Sequence, residues 1–244
     1  MKAIIFAAGL GTRIQTITKG LPKALLVFDG VSLLERAIVY LQKNAVTEII
    51  VNVHHQAELI KSFILERKWD IPIYISDETD KLLDTGGALL KVQDFFSKEK
   101  DFVAYNVDII TNLNLLEMIE YHRKEGAIAT LAVRNRQTSR YLLWDNDNNM
   151  IGWENVQKNE RILHKEIPFV QAAFSGVHIV SGQIFNYIHK KGAFSITPLY
   201  IDLAKNQKIK AYFHNDTYWF DVGKPETYKL AQDYFRNNQL RFTR

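Results

Sequence analysis

The chain has 244 residues, 47% of them hydrophobic, and this length and composition suit one large α/β domain. Lysine and arginine total 31 against 27 acidic residues, and the net charge of +4 is spread along the chain, so we expect no nucleic-acid partner. The absence of cysteine excludes a disulfide framework and a thiolate metal site. No segment has the roughly 20 apolar residues of a membrane span. The amino terminus lacks the small-residue cleavage pattern of a signal peptide, so we expect a cytoplasmic protein without a membrane partner.

The first segment predicts a buried strand that opens into a glycine-rich turn. Residues 3–8 are apolar without alternation, which is typical of a strand covered on both faces of a parallel sheet. The turn Gly9-Leu-Gly11 lets main-chain N–H groups approach an anion. Arg13 and Lys23 add a guanidinium fork and a mobile charge, which together suit a triphosphate. The spacing matches neither a P-loop nor a dinucleotide-binding turn, and a purely structural turn is the alternative.

Strands and helices alternate through the first half of the chain. The predicted elements are a helix over 32–44 with a capping box at Ser32 and Glu35, a strand over 48–53, a helix over 56–67, a strand over 71–75 and a helix over 113–125. Pro72 cannot donate to a sheet ladder, which favours an edge position for its strand. This alternation predicts an α/β fold with a doubly wound, mostly parallel, Rossmann-like sheet.

The loop Leu83-Asp-Thr-Gly-Gly-Ala88 carries a pair of glycines at the start of a predicted helix. Thr85 is placed to cap this helix, which is predicted to run to about residue 96. Two glycines in a helix cost about 2 kcal/mol relative to two alanines, so Gly86 and Gly87 need an explanation. Close packing of the helix against a strand is one explanation, and a flat backbone surface that receives a ligand is the other.

A third polar motif, Asn106-Val-Asp108, follows an apolar strand that begins at Phe102. Ligands of open α/β sheets gather at the carboxyl ends of the strands, so Asp108 is a candidate ligand of Mg²⁺. The alternative is that Asp108 caps the helix over 113–125. His54 and His55 also follow a strand, but neighbouring strand residues point to opposite faces, which favours a loop contact near the ligand over a metal site.

Hairpins replace crossovers in the second half of the chain. The predicted elements are strands over 128–133, 141–144, 150–153 and 172–180, helices over 181–190 and 195–205, strands over 210–213 and 218–221, and a final helix over 225–237. The polar turn over 145–149 joins two of these strands and predicts a small antiparallel extension. Ser175 and Gly176 interrupt their strand, and a glycine inside a strand often marks close approach of a ligand.

Taken in chain order, these motifs resemble the signature of the sugar-1-phosphate nucleotidyltransferases over residues 2 to about 230. The matching segments are Ala7-Ala-Gly-Leu-Gly-Thr-Arg13, Pro22-Lys23, Asp84-Thr-Gly-Gly87, Asn106-Val-Asp108, Ser175-Gly-Val177 and Trp219-Phe-Asp-Val-Gly-Lys-Pro-Glu226. The chain is most similar to compact bacterial members, which include uridylyltransferases for N-acetylmuramate 1-phosphate and guanylyltransferases for mannose- or heptose-type 1-phosphates. The resemblance implies a single domain over 1–244, with a nucleotide half at about 1–112, a sugar-binding half at about 113–224 and a carboxy-terminal helix at about 225–238.

The family joins a nucleoside triphosphate to a sugar 1-phosphate and releases pyrophosphate by a single in-line displacement. The resemblance implies that Asp108 and Asp221 hold Mg²⁺ and that Arg13 and Lys23 complete the catalytic set. It assigns nucleotide binding to Ala7, Ala8, Gly9, Gly11, Thr12, Arg13, Lys23, Thr85, Gly86, Gly87 and Asn106. It assigns the sugar phosphate to Arg140, Glu154, Ser175 and Gly176. We expect a monomer or a homodimer.

One departure from the family pattern concerns the sugar phosphate. Glu154-Asn155-Val156 stands where many members have Glu-Lys-Pro, so the lysine that would meet this phosphate is missing. Arg134, Arg136 and Arg140 lie nearby, and one of them could replace it. Arg140 is the substitute that we predict, and three solvated arginines are the alternative.

The motifs disagree about the substrate. The segment 83–87 is most similar to muramate-type uridylyltransferases, whereas 51–55 is more similar to heptose guanylyltransferases. The first segment is expected to touch the base, so we predict uridylyl transfer to an N-acetylated hexose phosphate such as N-acetylmuramate 1-phosphate. Guanylyl transfer to a mannose- or heptose-type phosphate is the alternative. A non-catalytic nucleotide-binding protein is the rival from another class.

Overall fold

The structure, a computed structural model, describes residues 1–242. Its strands are β1 Lys2–Phe6, β2 Val27–Phe28, β3 Val31–Ser32, β4 Glu48–Val53, β5 Ile73–Asp77, β6 Asp101–Asn106, β7 Ile109–Thr111, β8 Ala129–Arg134, β9 Arg140–Trp144, β10 Met150–Asn155, β11 Glu160–Leu163, β12 Val170–Ser181, β13 Ile209–Phe213 and β14 Trp219–Asp221. Its α-helices are α1 Gln15–Thr18, α2 Leu33–Lys43, α3 Ala57–Leu65, α4 Asp84–Lys91, α5 Leu115–Glu125, α6 Ile196–Leu203 and α7 Pro225–Asn237. Within this described range, no helix has the length and apolar character needed to cross a membrane.

One sheet runs through the molecule and changes from parallel to antiparallel pairing along its width. Its main path has the order β11-β10-β9-β12-β6-β1-β4-β5, and β8 and β13 join it through β12. Parallel pairing links β6, β1, β4 and β5, which confirms the predicted fold class and places the strand after Pro72 at the edge. Antiparallel pairing links β12, β9, β10 and β11, which confirms the extension.

The parallel strands end at one level, which gathers their loops at a single edge of the sheet. Phe6 of β1 is paired with both Asn52 of β4 and Asn106 of β6. The loops that follow these three strands therefore leave the sheet side by side. This edge is where an open α/β sheet offers its ligand crevice.

Helices cover both faces of the parallel half. On one face, Ile5 of β1 belongs to a buried cluster with Leu34 of α2. On the other face, Ile4 belongs to a second cluster with Leu89 of α4 and Tyr200 of α6. Because neighbouring strand residues point to opposite faces, burial of both isoleucines requires the uninterrupted apolar run seen in the sequence.

Side chains cap the starts of two helices, one as predicted and one by a different residue. The Oγ of Ser32 accepts the N–H of Glu35 at 3.1 Å, so the cap predicted for α2 is confirmed. The Oδ1 of Asn114 accepts the N–H of Glu117 at 3.3 Å at the start of α5. Asn114 therefore caps this helix, and the alternative that Asp108 caps it is wrong.

The prediction that Thr85 caps a helix is wrong. Helix α4 begins at Asp84, one residue before Thr85, and the carboxylate of Asp84 accepts the N–H of Thr85 at 2.6 Å. The Oγ1 of Thr85 instead accepts the N–H of Ile196 at 2.9 Å, which ties α4 to the start of α6. The helix is also shorter than predicted, since it ends at Lys91 and a separate 3-10 helix covers Gln93–Phe96.

The helix predicted over 181–190 is also wrong in type. The segment Gly182–Tyr187 forms a 3-10 helix, which opens where the Oγ of Ser181 accepts the N–H of Gln183 at 3.3 Å. The next helix, α6, and the final helix, α7, lie where they were predicted. Pro225 occupies the first turn of α7, where its missing N–H costs no hydrogen bond.

Candidate active site

The glycine-rich turn is anchored at its start and open beyond it. Ala7 and Ala8 are buried at the end of β1, and the N–H of Ala7 donates to the Oδ1 of Asn52 at 2.8 Å. The exposed residues of the turn include Gly9, Thr12 and Arg13. A ligand can therefore reach the later residues of the turn without any rearrangement of the strand.

The turn wraps closely around Lys23. Gly11 has a φ of +63°, and an added Cβ there would lie 3.2 Å from the Cβ of Lys23. An added Cβ at Gly9 would lie 3.7 Å from the Nζ of Lys23. The positive φ at Gly11 explains why a glycine is needed at that position. Folding thus brings the predicted lysine against the predicted turn.

An interior polar chain joins this turn to the loop before α4. The Nδ2 of Asn52 donates to the Oε1 of Glu78 at 2.9 Å, and the Oε2 of Glu78 accepts the N–H of Leu83 at 3.2 Å. Burial raises the pKa of Glu78. Our reasoning from sequence missed both residues, although an asparagine inside the apolar strand β4 was a signal for an interior hydrogen bond.

The histidines after β4 take different places. The Nδ1 of His54 lies 2.6 Å from the backbone oxygen of Glu78, which is a structural contact. His55 lines a small cleft together with Leu10 and Gly11. Contact of His55 with a ligand on the glycine-rich turn remains a prediction.

Two carboxylates meet at the edge of the sheet although they are far apart in sequence. Strand β14 pairs antiparallel with β7, and this register sets Asp221 opposite Ile109. The N–H of Val222 donates to the backbone oxygen of Asp108 at 2.9 Å. The Oδ2 of Asp108 also contacts the Nζ of Lys23 at 2.6 Å. The short β7–β14 ladder therefore positions Asp221 next to Asp108 and the glycine-rich turn.

Gly223 marks the centre of this cluster. An added Cβ at Gly223 would lie 2.8 Å from the Oδ1 of Asp221, 3.1 Å from the Oδ2 of Asp108 and 3.8 Å from the Nη2 of Arg13. With Lys23 paired to Asp108, the four residues predicted to form the catalytic set lie together. Their convergence on one small space is a result of the fold, because they come from separate segments of the chain.

The surroundings of Asp221 shift its pKa in opposite directions. Burial and then the negative charge of Asp108 raise the pKa of Asp221, while the N–H of Gly223, Lys23 and Arg13 lower it. Two carboxylates close together in a partly buried space repel each other, and a bound cation stabilises them. Among residues 1–242, no group of three or more histidine, cysteine, aspartate or glutamate side chains could hold a metal ion. A cation here would complete its coordination with water or phosphate oxygens, as Mg²⁺ does.

The glycine pair in α4 is covered by a loop. An added Cβ at Gly86 would lie 2.3 Å from the ring of Phe194, and one at Gly87 would lie 2.3 Å from the backbone oxygen of Gly192. The N–H groups of both glycines donate to the backbone oxygen of Phe194, at 2.8 and 3.2 Å. Close packing therefore explains the glycines, although the partner is the loop before α6 and no strand. Contact of this loop with a base remains a prediction.

The interruption of β12 lies beside the end of β6. The pairing with β8 shifts between Phe174 and His178, and Gly176 has a φ of +78°. An added Cβ at Gly176 would lie 2.9 Å from the Nδ2 of Asn106. Ser175 is fully buried and its Oγ lies 2.7 Å from the Nε2 of His214. Ser175 therefore presents no exposed surface, and its contact with a ligand remains a prediction.

A cavity of about 590 Å³ opens on the antiparallel side. The side chains that line it include Arg136, Arg140, Tyr141, Leu142, Trp153, Ile162, His164 and Phe174. Arg140 is exposed at this cavity and stands opposite Asn155 in the β9–β10 ladder. The predicted substitute for the missing lysine thus lies across the ladder from the position of that lysine.

The acidic residue predicted for the sugar phosphate is already engaged. Glu154 is buried, and its carboxylate binds Arg161 at 2.7 Å and also accepts from the amide of Gln171. Asn155 closes the turn after β10, because its Oδ1 accepts the N–H groups of the two residues that follow Val156. Binding of a ligand by Glu154 remains a prediction and would require competition with these contacts.

Comparison with known proteins identifies the family to which this chain belongs. The family described as Nucleotidyl transferase matches residues 2–238. The mannose-1-phosphate guanyltransferase of Schizosaccharomyces pombe is 27% identical over 93% of this chain, which spans 62% of that relative's length. The D-glycero-alpha-D-manno-heptose 1-phosphate guanylyltransferase of Aneurinibacillus thermoaerophilus is 29% identical over 95% of this chain and 97% of its own. The crystal structure of HddC from Yersinia pseudotuberculosis has the same fold, with a TM-score of 0.75 at 24% identity over 96% of this chain and 99% of its own. This chain belongs to the nucleotidyl transferase family.

Proposed function

We propose that the protein transfers a nucleotidyl group from a nucleoside triphosphate to a sugar 1-phosphate and releases pyrophosphate. The observation that carries this proposal is the convergence of Arg13, Lys23, Asp108 and Asp221 around Gly223. A protein that only binds nucleotides has no need of two carboxylates facing one small space beside two cations. The family supports the proposal, since its members are sugar-1-phosphate nucleotidyltransferases that generally depend on a divalent metal.

Asp108 and Asp221 are the residues that would hold Mg²⁺. The space between their oxygens and Arg13 is one that a single Cβ at Gly223 would fill, which suits a small ion. Carboxylate oxygens are the ligands that this ion prefers, with phosphates completing its shell. When bound, Mg²⁺ supplies positive charge to the phosphates and orients them for in-line attack.

The chain's own residues would then position the substrates. The open glycine-rich turn offers its N–H groups to the phosphates, and Arg13 would bind the β- and γ-phosphates through its guanidinium. Lys23 would bind the α-phosphate, where negative charge grows as the attacking oxygen approaches. In the structure its Nζ donates to the Oδ2 of Asp108 at 2.6 Å. Little covalent chemistry falls to the protein, so its effect comes from position and charge.

For the substrates, we propose uridylyl transfer to an N-acetylated hexose 1-phosphate such as N-acetylmuramate 1-phosphate. The apolar part of the cavity wall, which includes Leu142, Trp153, Ile162 and Phe174, supports a sugar with an N-acyl or similar apolar substituent. Guanylyl transfer to a mannose- or heptose-type phosphate is the second candidate. It is favoured by the names of the Schizosaccharomyces and Aneurinibacillus relatives, both of which are guanylyltransferases.

The test is a matrix of four nucleoside triphosphates against several sugar 1-phosphates with Mg²⁺, in which pyrophosphate release is measured. We expect release only when both substrates are present, with the largest kcat/KM for UTP and an N-acetylated hexose phosphate. A tenfold or greater preference for GTP over UTP would support the guanylyl candidate instead. If no pair releases pyrophosphate while the protein binds nucleotide, the protein is a nucleotide binder and the proposal fails.

A further inference from the structure

The two arginines of the cavity differ in how they are held. Arg140 is exposed, whereas Arg136, in the loop after β8, is half-buried and contacts residues of β12 and β14. The Nη2 of Arg136 donates to the backbone oxygen of Phe174 at 3.2 Å, and its guanidinium lies 4.8 Å from the centre of the Trp219 ring. These contacts fix the plane of the guanidinium before any ligand arrives. Fixing in advance reduces the entropy that is lost when a phosphate binds.

One donor of Arg136 is left without a partner. Its Nε is buried, and within residues 1–242 nothing accepts a hydrogen bond from it. A buried donor without a partner costs about 1–3 kcal/mol, and more when the group is charged. Because Arg136 lines the cavity, a ligand with acceptor oxygens could remove this cost. A phosphate matches the planar fork of a guanidinium with two parallel hydrogen bonds.

The position of Arg136 is next to the proposed reaction centre. Trp219, on which the guanidinium rests, lies in β14, the strand that ends at Asp221. The indole N–H of Trp219 donates to the backbone oxygen of Ser175 at 2.8 Å, which holds this strand end against β12. Burial lowers the pKa of Arg136, and the negative charge of Asp221 acts in the opposite direction. The guanidinium therefore lies between the cavity and the strand that carries Asp221.

We propose that Arg136 binds the phosphate of the sugar 1-phosphate and takes the place of the lysine that is missing at Asn155. This inference rests on the proposed function and assigns one residue within it. An oxygen of the bound phosphate donates its electron pair to the α-phosphorus, and the bond from that phosphorus to the bridging oxygen breaks. The electron pair leaves with pyrophosphate, and no proton passes through Arg136. Arg140, at the exposed side of the cavity, is available to a second oxygen of the same phosphate.

The experiment compares Arg136→Met with Arg134→Met. Arg134 is a matched control, because its guanidinium also lies near Trp219, at 5.9 Å, but bonds the backbone oxygen of Thr217 and does not line the cavity. Calorimetry with the α,β-methylene analogues of UTP and GTP and Mg²⁺ measures binding of N-acetylglucosamine 1-phosphate, mannose 1-phosphate and the two free sugars. These analogues occupy the nucleotide site and prevent turnover.

We expect Arg136→Met to bind the sugar phosphate about thirtyfold more weakly, with little change for the free sugar, since a charge-assisted bidentate contact is lost. The control variant should bind like the wild type. Equal binding by Arg136→Met and the wild type would overturn the proposal, and so would a wild type that binds none of the sugar phosphates. If Arg136→Met does not fold, Arg136→Lys gives the same comparison, with an expected loss of about tenfold because lysine lacks the planar fork.

The same proteins separate this inference from the proposed function. If the wild type binds sugar phosphate through Arg136 but releases no pyrophosphate with any substrate pair, the proposed function fails and the role of Arg136 stands. If the wild type releases pyrophosphate and Arg136→Met binds sugar phosphate as tightly as the wild type, only the role of Arg136 fails.

Discussion

Replacement of Lys23 by methionine should separate two roles of one side chain. The Nζ of Lys23 lies 2.6 Å from the Oδ2 of Asp108, and only 15% and 12% of the two side chains are exposed. During the proposed reaction the same Nζ is needed at the α-phosphate. A cation bound by Asp108 must therefore compete with Lys23. Methionine keeps most of the length of lysine and removes its charge.

The size of the effect follows from the ion pair. A hydrogen bond between charged groups contributes about 1.5–3 kcal/mol, so Lys23→Met should lower the unfolding free energy of the metal-free protein by about 2 kcal/mol. The same energy no longer opposes a metal ion at Asp108, and about 2 kcal/mol corresponds to about thirtyfold in affinity. We therefore expect the variant to bind a divalent cation at least tenfold more tightly, while kcat falls by about a hundredfold for lack of charge at the α-phosphate.

The assay combines urea unfolding, titration with Mn²⁺ followed by electron paramagnetic resonance, and steady-state kinetics. Lys61→Met is the matched control, because Lys61 makes an ion pair of the same length, 2.6 Å, with Asp77 away from the cluster. The control should bind Mn²⁺ like the wild type. Unchanged or weaker Mn²⁺ binding by Lys23→Met would refute the competition at Asp108. A change in KM for the triphosphate with no change in kcat would make Lys23 a binding residue only.

Three further predictions use other parts of the structure. Asp221→Asn should lose most of its turnover at limiting Mg²⁺, and near-normal turnover there would contradict the metal assignment. Gly223→Ala should lower kcat by about a hundredfold with little change in thermal stability, since its methyl carbon would lie 2.8 Å from the Oδ1 of Asp221 and displace that carboxylate. Burial lowers the pKa of His214 from 6.5 to about 4, so between these values the unfolded chain binds a proton that the folded protein does not. His214 alone should therefore lower the unfolding free energy by about 3 kcal/mol at most as pH drops from about 6.5 towards 4, and His214→Gln should remove this part of the pH dependence in urea unfolding.

The part of the candidate site formed by the glycine-rich turn and Lys23 could be predicted from sequence because its determinants are local. The apolar run before Gly9, the glycines and Lys23 all lie within the first 23 residues, and their chemistry follows from their order. The ends of strands could also be predicted from sequence, since Asp108 follows an apolar run that is typical of a buried strand. Local patterns of hydrophobicity and turn residues carry this information without any knowledge of the rest of the chain.

The remaining parts depend on contacts between distant segments. The partner of Thr85 is Ile196, 111 residues away, and no local rule predicts that a hydroxyl at the start of α4 will serve α6. Packing of Phe194 on Gly86 has the same origin. Thr85 looked like the cap of its own helix but joins two elements, so local cap rules misassigned it.

Charge balance gives a physical reason for cations on both sides of the site. Arg13, Lys23, Asp108 and Asp221 together are neutral, so this cluster alone cannot offset two anionic substrates. A triphosphate with bound Mg²⁺ carries a net charge of about −2. The sugar phosphate, which must lie close to the triphosphate, adds a charge of about −1.5 to −2. Two anions brought together away from bulk water repel each other strongly unless cations lie beside them. The cavity must therefore supply its own positive charge, whichever residue provides it, and the loss of a lysine at Asn155 has to be offset elsewhere on the same wall. In our proposal Arg136 meets that requirement, because it lines the cavity and lies close enough to Asp221 to feel its charge.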